Sequence, residues 1–128
     1  MKLLLDTHAF LWWVMGDDRL SRPARKALLA TENELVLSAA TALEIAIKVG
    51  VGRLRLQSPL EVFLSRELEI NGIQQLPIDI RHAVAVGGLP LHHADPFDRI
   101  LIAQARVEEM ILVTCDRIMA KYDVQTLW

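Results

Sequence analysis

Short apolar runs recur along the chain and are separated by longer stretches of mixed character. Runs of this length are typical of buried strands, and the longer stretches carry apolar residues at helical spacing. The predicted strands are residues 2–5, 34–37, 73–77, 110–114 and 124–128. Strands that alternate with helices from end to end favour a parallel sheet covered by helices. We therefore predict a single α/β domain with a central, mostly parallel sheet of four to five short strands.

Capping residues mark several of the helix starts. Asp95 precedes Pro96, and an Asp followed by Pro at the first helical position is a typical helix start. Either Ser38 or Thr41 caps a helix that runs to about residue 49 and carries the apolar residues Leu43, Ala46 and Ile47. The remaining predicted helices are residues 7–15, a segment that starts at Ser21, residues 58–70 and 80–86, and a helical turn at 117–122.

Composition places the chain among globular proteins. It has 128 residues, of which 52% are hydrophobic and 23% charged, enough for one domain with a buried core. The single Cys115 excludes an internal disulfide and suits a reducing compartment. The apolar run at the amino terminus stops at Asp6, too early for a signal peptide, and no later run could span a bilayer. We expect a soluble cytoplasmic protein without membrane association.

Acidic residues stand at the ends of the predicted strands. Asp6 follows the first strand, Asp116 follows the fourth, Asp98 opens the helix that leads to the fourth, and Glu44 lies early in the helix after the second. The carboxyl ends of parallel strands share one edge of a sheet, so these acids are expected to converge. Carboxylates without a set of Cys or His ligands suit Mg²⁺ or Mn²⁺. Hydrolysis of a phosphodiester is the chemistry that such a site performs best.

Two of these acids also have a simpler structural interpretation. Asp6 could only cap the following helix, and Glu44 could complete a capping box with Thr41 or pair with Lys48 four residues on. His92 and His93 are neighbours in a loop, without the i,i+4 spacing of helical metal ligands, and suit loop packing or proximity to a phosphate, with metal ligation as the alternative.

The net charge restricts the ways in which the chain could bind nucleic acid. A charge of −2 argues against simple electrostatic binding, which needs a basic protein. Removing four carboxylates from a net charge of −2 leaves +2, however, so a metal held by those four acids would make the rest of the chain slightly basic. Neither the glycine-rich dinucleotide fingerprint nor the P-loop motif is present, and a non-catalytic α/β interaction module is the alternative to a nuclease.

Four ordered blocks of the sequence resemble one family. They are LLLDTHAFLWW, SAATALEIAIKVGVGRLRL, LPLHHADPFDRILIAQA and LVTCDRIMAKYDV, and together they cover nearly the whole chain. With these blocks the sequence resembles a PIN-domain ribonuclease of the VapC type, the toxin of a bacterial type II toxin–antitoxin pair. The resemblance implies a PIN-like fold over residues 1–128 and an Mg²⁺- or Mn²⁺-dependent endoribonuclease.

The resemblance also assigns roles to individual residues. Asp6, Glu44, Asp98 and Asp116 match the acidic quartet that holds the metal in that family, and Thr7 matches a small hydroxyl residue that orients Asp6 or a water molecule. Asp95 is assigned to helix capping, together with an i,i+4 pair to Arg99. Candidate guides for the RNA backbone are Lys48, Arg53, Arg55 and Arg99.

The partners that the resemblance implies are an RNA substrate, a cognate antitoxin protein and a second copy of the chain in a homodimer. Trp12 and Trp13 would contribute to the core or, alternatively, to one of these protein contacts.

Overall fold

Five parallel strands form one sheet at the centre of the computed structural model, which describes all residues from 1 to 128. The strands are β1 (Lys2–Leu5), β2 (Glu34–Ser38), β3 (Ile73–Leu76), β4 (Ile111–Val113) and β5 (Thr126–Leu127). The helices are α1 (Thr7–Met15), α2 (Arg22–Leu29), α3 (Ala39–Gly50), α4 (Leu60–Ile70), α5 (Ile80–Val86) and α6 (Pro96–Val107), and a 3₁₀ turn covers Met119–Lys121. The predicted α/β architecture is therefore confirmed.

The strand order β3-β2-β1-β4-β5 determines where a site can form. From β1 the chain moves outward through β2 and β3, and it later returns to the other side of β1 with β4 and β5. The order thus reverses between β1 and β4, and open α/β sheets bind ligands in the crevice at such a switch point. Leu5 lies beside Val113 in the register of β1 and β4. The residues that follow these two strands are therefore neighbours at the switch point.

Both faces of the sheet are covered, which explains why the strands are short apolar runs. Leu3 and Leu5 of β1 pack into one cluster, which includes Phe10 from α1 and Phe63 from α4. Leu4 points to the opposite face, where the second cluster contains apolar residues of α6. None of the helices combines the length and the hydropathy that a membrane crossing requires.

Helix α3 buries Ile45 and turns two other apolar residues, Leu43 and Ile47, toward solvent. Ser38 is its cap and accepts a hydrogen bond from the Ala40 N–H, whereas the buried Thr41 hydroxyl has no hydrogen-bond partner. The apolar side chains of Leu43 and Ile47 are 52% and 48% exposed. Ile45 is the fully buried residue of this helix. Each residue turns the helix by about 100°. Leu43 and Ile47, each two positions from the buried Ile45, therefore point away from the core.

The segment between α3 and α4 is irregular but follows the predicted alternation. Leu54 and Leu56 pack against the first core cluster, whereas Arg53 and Arg55 are exposed. The N–H group of Arg53 donates to the Lys48 carbonyl at 2.8 Å, which folds the segment back onto the end of α3.

The two neighbouring tryptophans of α1 are half-buried. Trp12 and Trp13 both pack against the first core cluster, and the ring of Trp12 also contacts His8 and Trp128. The interpretation of these residues as part of the core is therefore the one that the structure supports.

Candidate active site

Asp6 is the most deeply buried acid at the carboxyl edge of the sheet. It is 6% exposed and directly follows β1, and its Oδ1 accepts a hydrogen bond from the Ala9 N–H at 2.8 Å as the cap of α1. Burial raises the pKa of this carboxyl, and the neighbouring Asp116 raises it further, whereas hydrogen bonds from Thr114 and Ala9 and the charge of His8 lower it. Asp6 therefore both caps a helix and presents a carboxylate that is costly to ionise without a cation nearby.

Glu44 projects from α3 toward the start of α1. Its Oε1 accepts a hydrogen bond from the Thr7 hydroxyl at 2.7 Å, and its Oε2 lies 2.8 Å from the Lys48 ammonium. The predicted pair with Lys48 is confirmed, and since Ser38 caps α3, Glu44 is not needed in a capping box. The Thr7 hydroxyl donates to Glu44, and its oxygen keeps lone pairs that can accept from a water molecule, so the expected role of Thr7 in orienting a water stays a prediction.

Asp98 lies in the first turn of α6, behind the cap residue Asp95, which accepts a hydrogen bond from the Phe97 N–H as predicted. The pKa of the Asp98 carboxyl is raised to about 6, first by partial burial and then by the negative charges of Asp95, Asp116 and Glu44, against a lowering effect of His93. The carboxyl of Asp98 is thus electrostatically coupled to acids from two other parts of the chain.

Asp116 lies beyond β4 and is held through both of its oxygens. Its Oδ1 accepts from the Ile118 N–H and its Oδ2 lies 2.8 Å from Nε2 of His93. Partial burial alone would raise the pKa of Asp116, but the hydrogen bonds from His93 and Ile118 outweigh this effect and lower it. Ligand atoms of His93, Asp98 and Asp116 all lie within 4.8 Å of one another.

His93 is the residue of the site whose contact with an acid was not anticipated. Its side chain is 9% exposed, and besides Asp116 it contacts the Tyr122 hydroxyl. The i,i+4 spacing of helical metal ligands does not predict the contact between His93 and Asp116, because it joins the loop before α6 to the segment after β4. The one available signal was a histidine placed close before Asp98 in sequence.

The donor set fits a hard divalent cation. Asp98 and Asp116 come from separate segments and present carboxylate oxygens within 4.8 Å of each other and of a His93 nitrogen, and the charge of Asp116 also raises the pKa of Asp6. Such a group of acids repels itself unless a cation lies between its members. Oxygen donors of this kind favour Mg²⁺ or Mn²⁺. Burial first, and then the neighbouring acids, raise the pKa of Asp98, so a cation bound at this site would favour the ionised carboxylate.

The predicted cationic residues divide into two groups. Lys48 lies beside Glu44, and Arg53 and Arg55 are exposed and form no ion pair. Arg99, by contrast, is 9% exposed, and its guanidinium donates to carbonyl groups of the loop before α6. The predicted pair with Asp95 is therefore wrong, and Arg99 is not available to guide a phosphate backbone.

Comparisons with known proteins agree with this architecture. The model of the PIN domain family matches residues 3–125. A search of curated proteins finds no match.

Solved structures share the fold at low sequence identity. VapBC2 from Rickettsia felis, bound to a DNA fragment from its promoter, has a TM-score of 0.73 at 16% identity, over 98% of this chain and 97% of that one. FitAcB from Neisseria gonorrhoeae has a TM-score of 0.65 at 22% identity, over 97% and 95%. A toxin–antitoxin complex from Klebsiella pneumoniae has a TM-score of 0.57 at 18% identity, over 89% and 86%.

Proposed function

This chain belongs to the PIN domain family, and we propose that it is a metal-dependent endoribonuclease that acts as the VapC-type toxin of a type II toxin–antitoxin pair. The observation that carries the proposal is the cluster of Asp98, Asp116 and His93, whose ligand atoms lie within 4.8 Å of one another. Burial and nearby acids also raise the pKa of the Asp98 carboxyl to about 6. An assembly of carboxylates that the protein does not neutralise is suited to bind a cation and, through it, a phosphate.

The four acids of the candidate site have two different roles in this proposal. Asp6, Asp98 and Asp116 hold Mg²⁺ or Mn²⁺, and Glu44 serves as a further ligand or orients the attacking water. A divalent cation bound there supplies activation of water at neutral pH and neutralises charge on the phosphate. Thr7 and Lys48 hold the two oxygens of Glu44 in fixed directions. We expect cleavage to leave 5′-phosphate and 3′-hydroxyl ends.

The RNA backbone is guided by cationic groups at the end of α3. Arg53 and Arg55 are exposed and unpaired, and the backbone bond from Arg53 to Lys48 keeps this segment next to the helix that carries Glu44. Each contact between a cation and a phosphate is electrostatic and independent of sequence.

The partners of the proposed toxin are a cognate antitoxin and a second copy of the chain. The Klebsiella pneumoniae relative was solved as a toxin–antitoxin complex, and the Rickettsia felis VapBC2 was bound to promoter DNA. Co-purification with the product of a neighbouring small gene, followed by light scattering of the complex and of the free chain, tests both partners.

Cleavage of RNA by the purified chain, freed of any antitoxin, tests the proposed activity. The assay compares Mg²⁺ with EDTA, and the unmodified chain with Asp6→Asn and Asp98→Asn. We expect each substitution to reduce the rate by roughly 10²- to 10³-fold, the range for loss of one electrostatic contact in an active site. Asp95→Asn is the matched control, because Asn also caps helices and removes one charge next to the site. Equal cleavage under all conditions, or a failure to bind Mn²⁺ in calorimetry, would refute the nuclease and favour a non-catalytic module.

A further inference from the structure

Three polar side chains form a continuous series that ends on Asp116. The Tyr122 hydroxyl lies 3.2 Å from Nδ1 of His93, and Nε2 of His93 lies 2.8 Å from Oδ2 of Asp116. The backbone N–H of His93 also donates to the Tyr122 hydroxyl at 2.9 Å. Tyr122 is 4% exposed and its ring stacks on that of His93 at an interplanar angle of 17°. The imidazole is thus held by its backbone, by ring stacking and at both nitrogens.

The protons of this series have one consistent arrangement when the imidazole is neutral. An ionised carboxylate only accepts hydrogen bonds, so the contact with Asp116 requires a proton on Nε2 of His93. Nδ1 is then the acceptor nitrogen, and the Tyr122 hydroxyl must donate to it. The same hydroxyl oxygen uses a lone pair to accept from the His93 backbone N–H. The Asp116 carboxylate therefore fixes this tautomer of His93, and Tyr122 stabilises it by donating to Nδ1.

Asp116 needs such support because of its place in the fold. It lies in the irregular segment between β4 and the 3₁₀ turn, so no helix or strand holds its side chain. The Ile118 N–H binds one carboxylate oxygen and His93 binds the other, which together restrict rotation of the carboxylate. Arg99 holds the loop that carries His93 through the carbonyl of Pro90 at 2.9 Å.

We propose that His93 and Tyr122 are a positioning pair that holds the Asp116 carboxylate in the orientation for binding a divalent cation. The inference rests on the proposed function only in that the cation is the one the nuclease would use. His93 is not itself a ligand, because ligation would need the Nε2 lone pair and would displace the proton that donates to Asp116. Groups that orient a ligand from behind raise metal affinity by about 10- to 100-fold in other metal sites.

The tautomer can be observed directly in the metal-free protein. Nitrogen-15 correlation spectra of the imidazole groups, recorded at a pH well above the ordinary His pKa, should show His93 with its proton on Nε2. Addition of Mg²⁺ should leave that proton in place. A proton on Nδ1, or loss of the Nε2 proton on addition of Mg²⁺, would overturn the proposal and identify His93 as a ligand. This readout requires no enzymatic activity, so it distinguishes failure of the inference from failure of the proposed nuclease.

Calorimetric titration with Mn²⁺ tests the consequence for the cation. His93→Ala should weaken Mn²⁺ binding by about 10- to 100-fold and Tyr122→Phe by roughly 3- to 10-fold, since the ring and its bond to Asp116 survive in the second variant. His93→Gln should restore affinity to within about threefold, because its amide N–H lies close to the position of Nε2. His92→Ala is the control, since His92 contacts only the ring of Tyr122.

Two outcomes of the titration contradict the positioning role. Unchanged affinity in His93→Ala would show that the bond to Asp116 does not matter for the cation. Equal losses in His93→Gln and His93→Ala would show that a donated hydrogen bond is not what His93 contributes. If Tyr122→Phe fails to fold, the comparison of the two His93 variants still decides between these outcomes.

Discussion

Arg99 has a structural role that its sequence context conceals, and replacing it tests that role. The guanidinium donates to the carbonyls of Pro90 at 2.9 Å and Val86 at 3.1 Å, and makes longer contacts with those of Leu89 at 3.3 Å and His93 at 3.4 Å. These carbonyls belong to the end of α5 and the loop that leads to α6. One buried cation therefore organises the loop on which His93 lies.

The expected cost follows from these bonds. A hydrogen bond from a charged donor contributes about 1.5–3 kcal/mol, and a buried carbonyl left without a partner costs about 1–3 kcal/mol. Counting only the two shorter bonds, and allowing for water to reach part of the loop, Arg99→Met should lower the free energy of unfolding by about 3 kcal/mol. For a domain of this size that corresponds to a melting temperature lower by roughly 10 °C.

Chemical denaturation in urea of Arg99→Met and of a matched control measures this cost. Arg106→Met is the control, because Arg106 is exposed on the same helix and its side chain makes no hydrogen bond. The control should change stability by less than about 1 kcal/mol. A loss below about 1 kcal/mol for Arg99→Met, together with weaker RNA binding, would refute the structural role and restore the interpretation as a phosphate guide.

Three further predictions concern the site and a second buried polar group. Thr7→Val should reduce RNA cleavage by about 10- to 100-fold while Thr7→Ser retains most of it, because the hydroxyl, which serine keeps, is the group of Thr7 that binds Glu44; initial rates at saturating Mg²⁺ measure both. In EDTA, ionisation of Asp98 opposes folding, because the pKa of this carboxyl is raised in the folded chain. The stability that the protonated carboxyl contributes is fully present below pH 3.8 and is lost as the pH rises through about 6. Asp98→Asn should therefore be more stable than the unmodified chain at pH 7.5, by about 1 kcal/mol after discounting for solvent, and equally stable near pH 3.5; an equal difference at both pH values in thermal unfolding would contradict this. His82→Phe should lower the free energy of unfolding by about 2–4 kcal/mol, because the ring is 1% exposed and bonds the Asp79 N–H and Glu108, and urea denaturation at pH 7 checks it.

Local signals in the sequence predicted much of the secondary structure. Short apolar runs predicted β1, β2 and β4, and Asp95 with Pro96 located the start of α6, because capping and strand length depend on a few neighbouring residues. The placement of the acids after successive strands also followed from the alternation of elements, since parallel strands end at a shared edge.

The same local signals did not predict which face of a helix is buried. In α3, Leu43 and Ile47 share one face, and Thr41 and Ile45 share another, and both faces carry apolar groups. Hydrophobicity alone could not choose between them. The contact of Glu44 with Thr7, and the burial of Ile45, decided the rotation of the helix.

The sequence by itself determined that acids stand at the ends of strands in a parallel α/β sheet, since periodicity and capping are local properties. Only the tertiary structure decided what each polar side chain contacts. Thr7 meets Glu44, His93 meets Asp116 and Arg99 meets loop carbonyls, and the first two of these contacts join residues 37 and 23 positions apart. An exposed cation and a buried one look alike in sequence, because burial depends on the path of distant loops rather than on the neighbours of the residue.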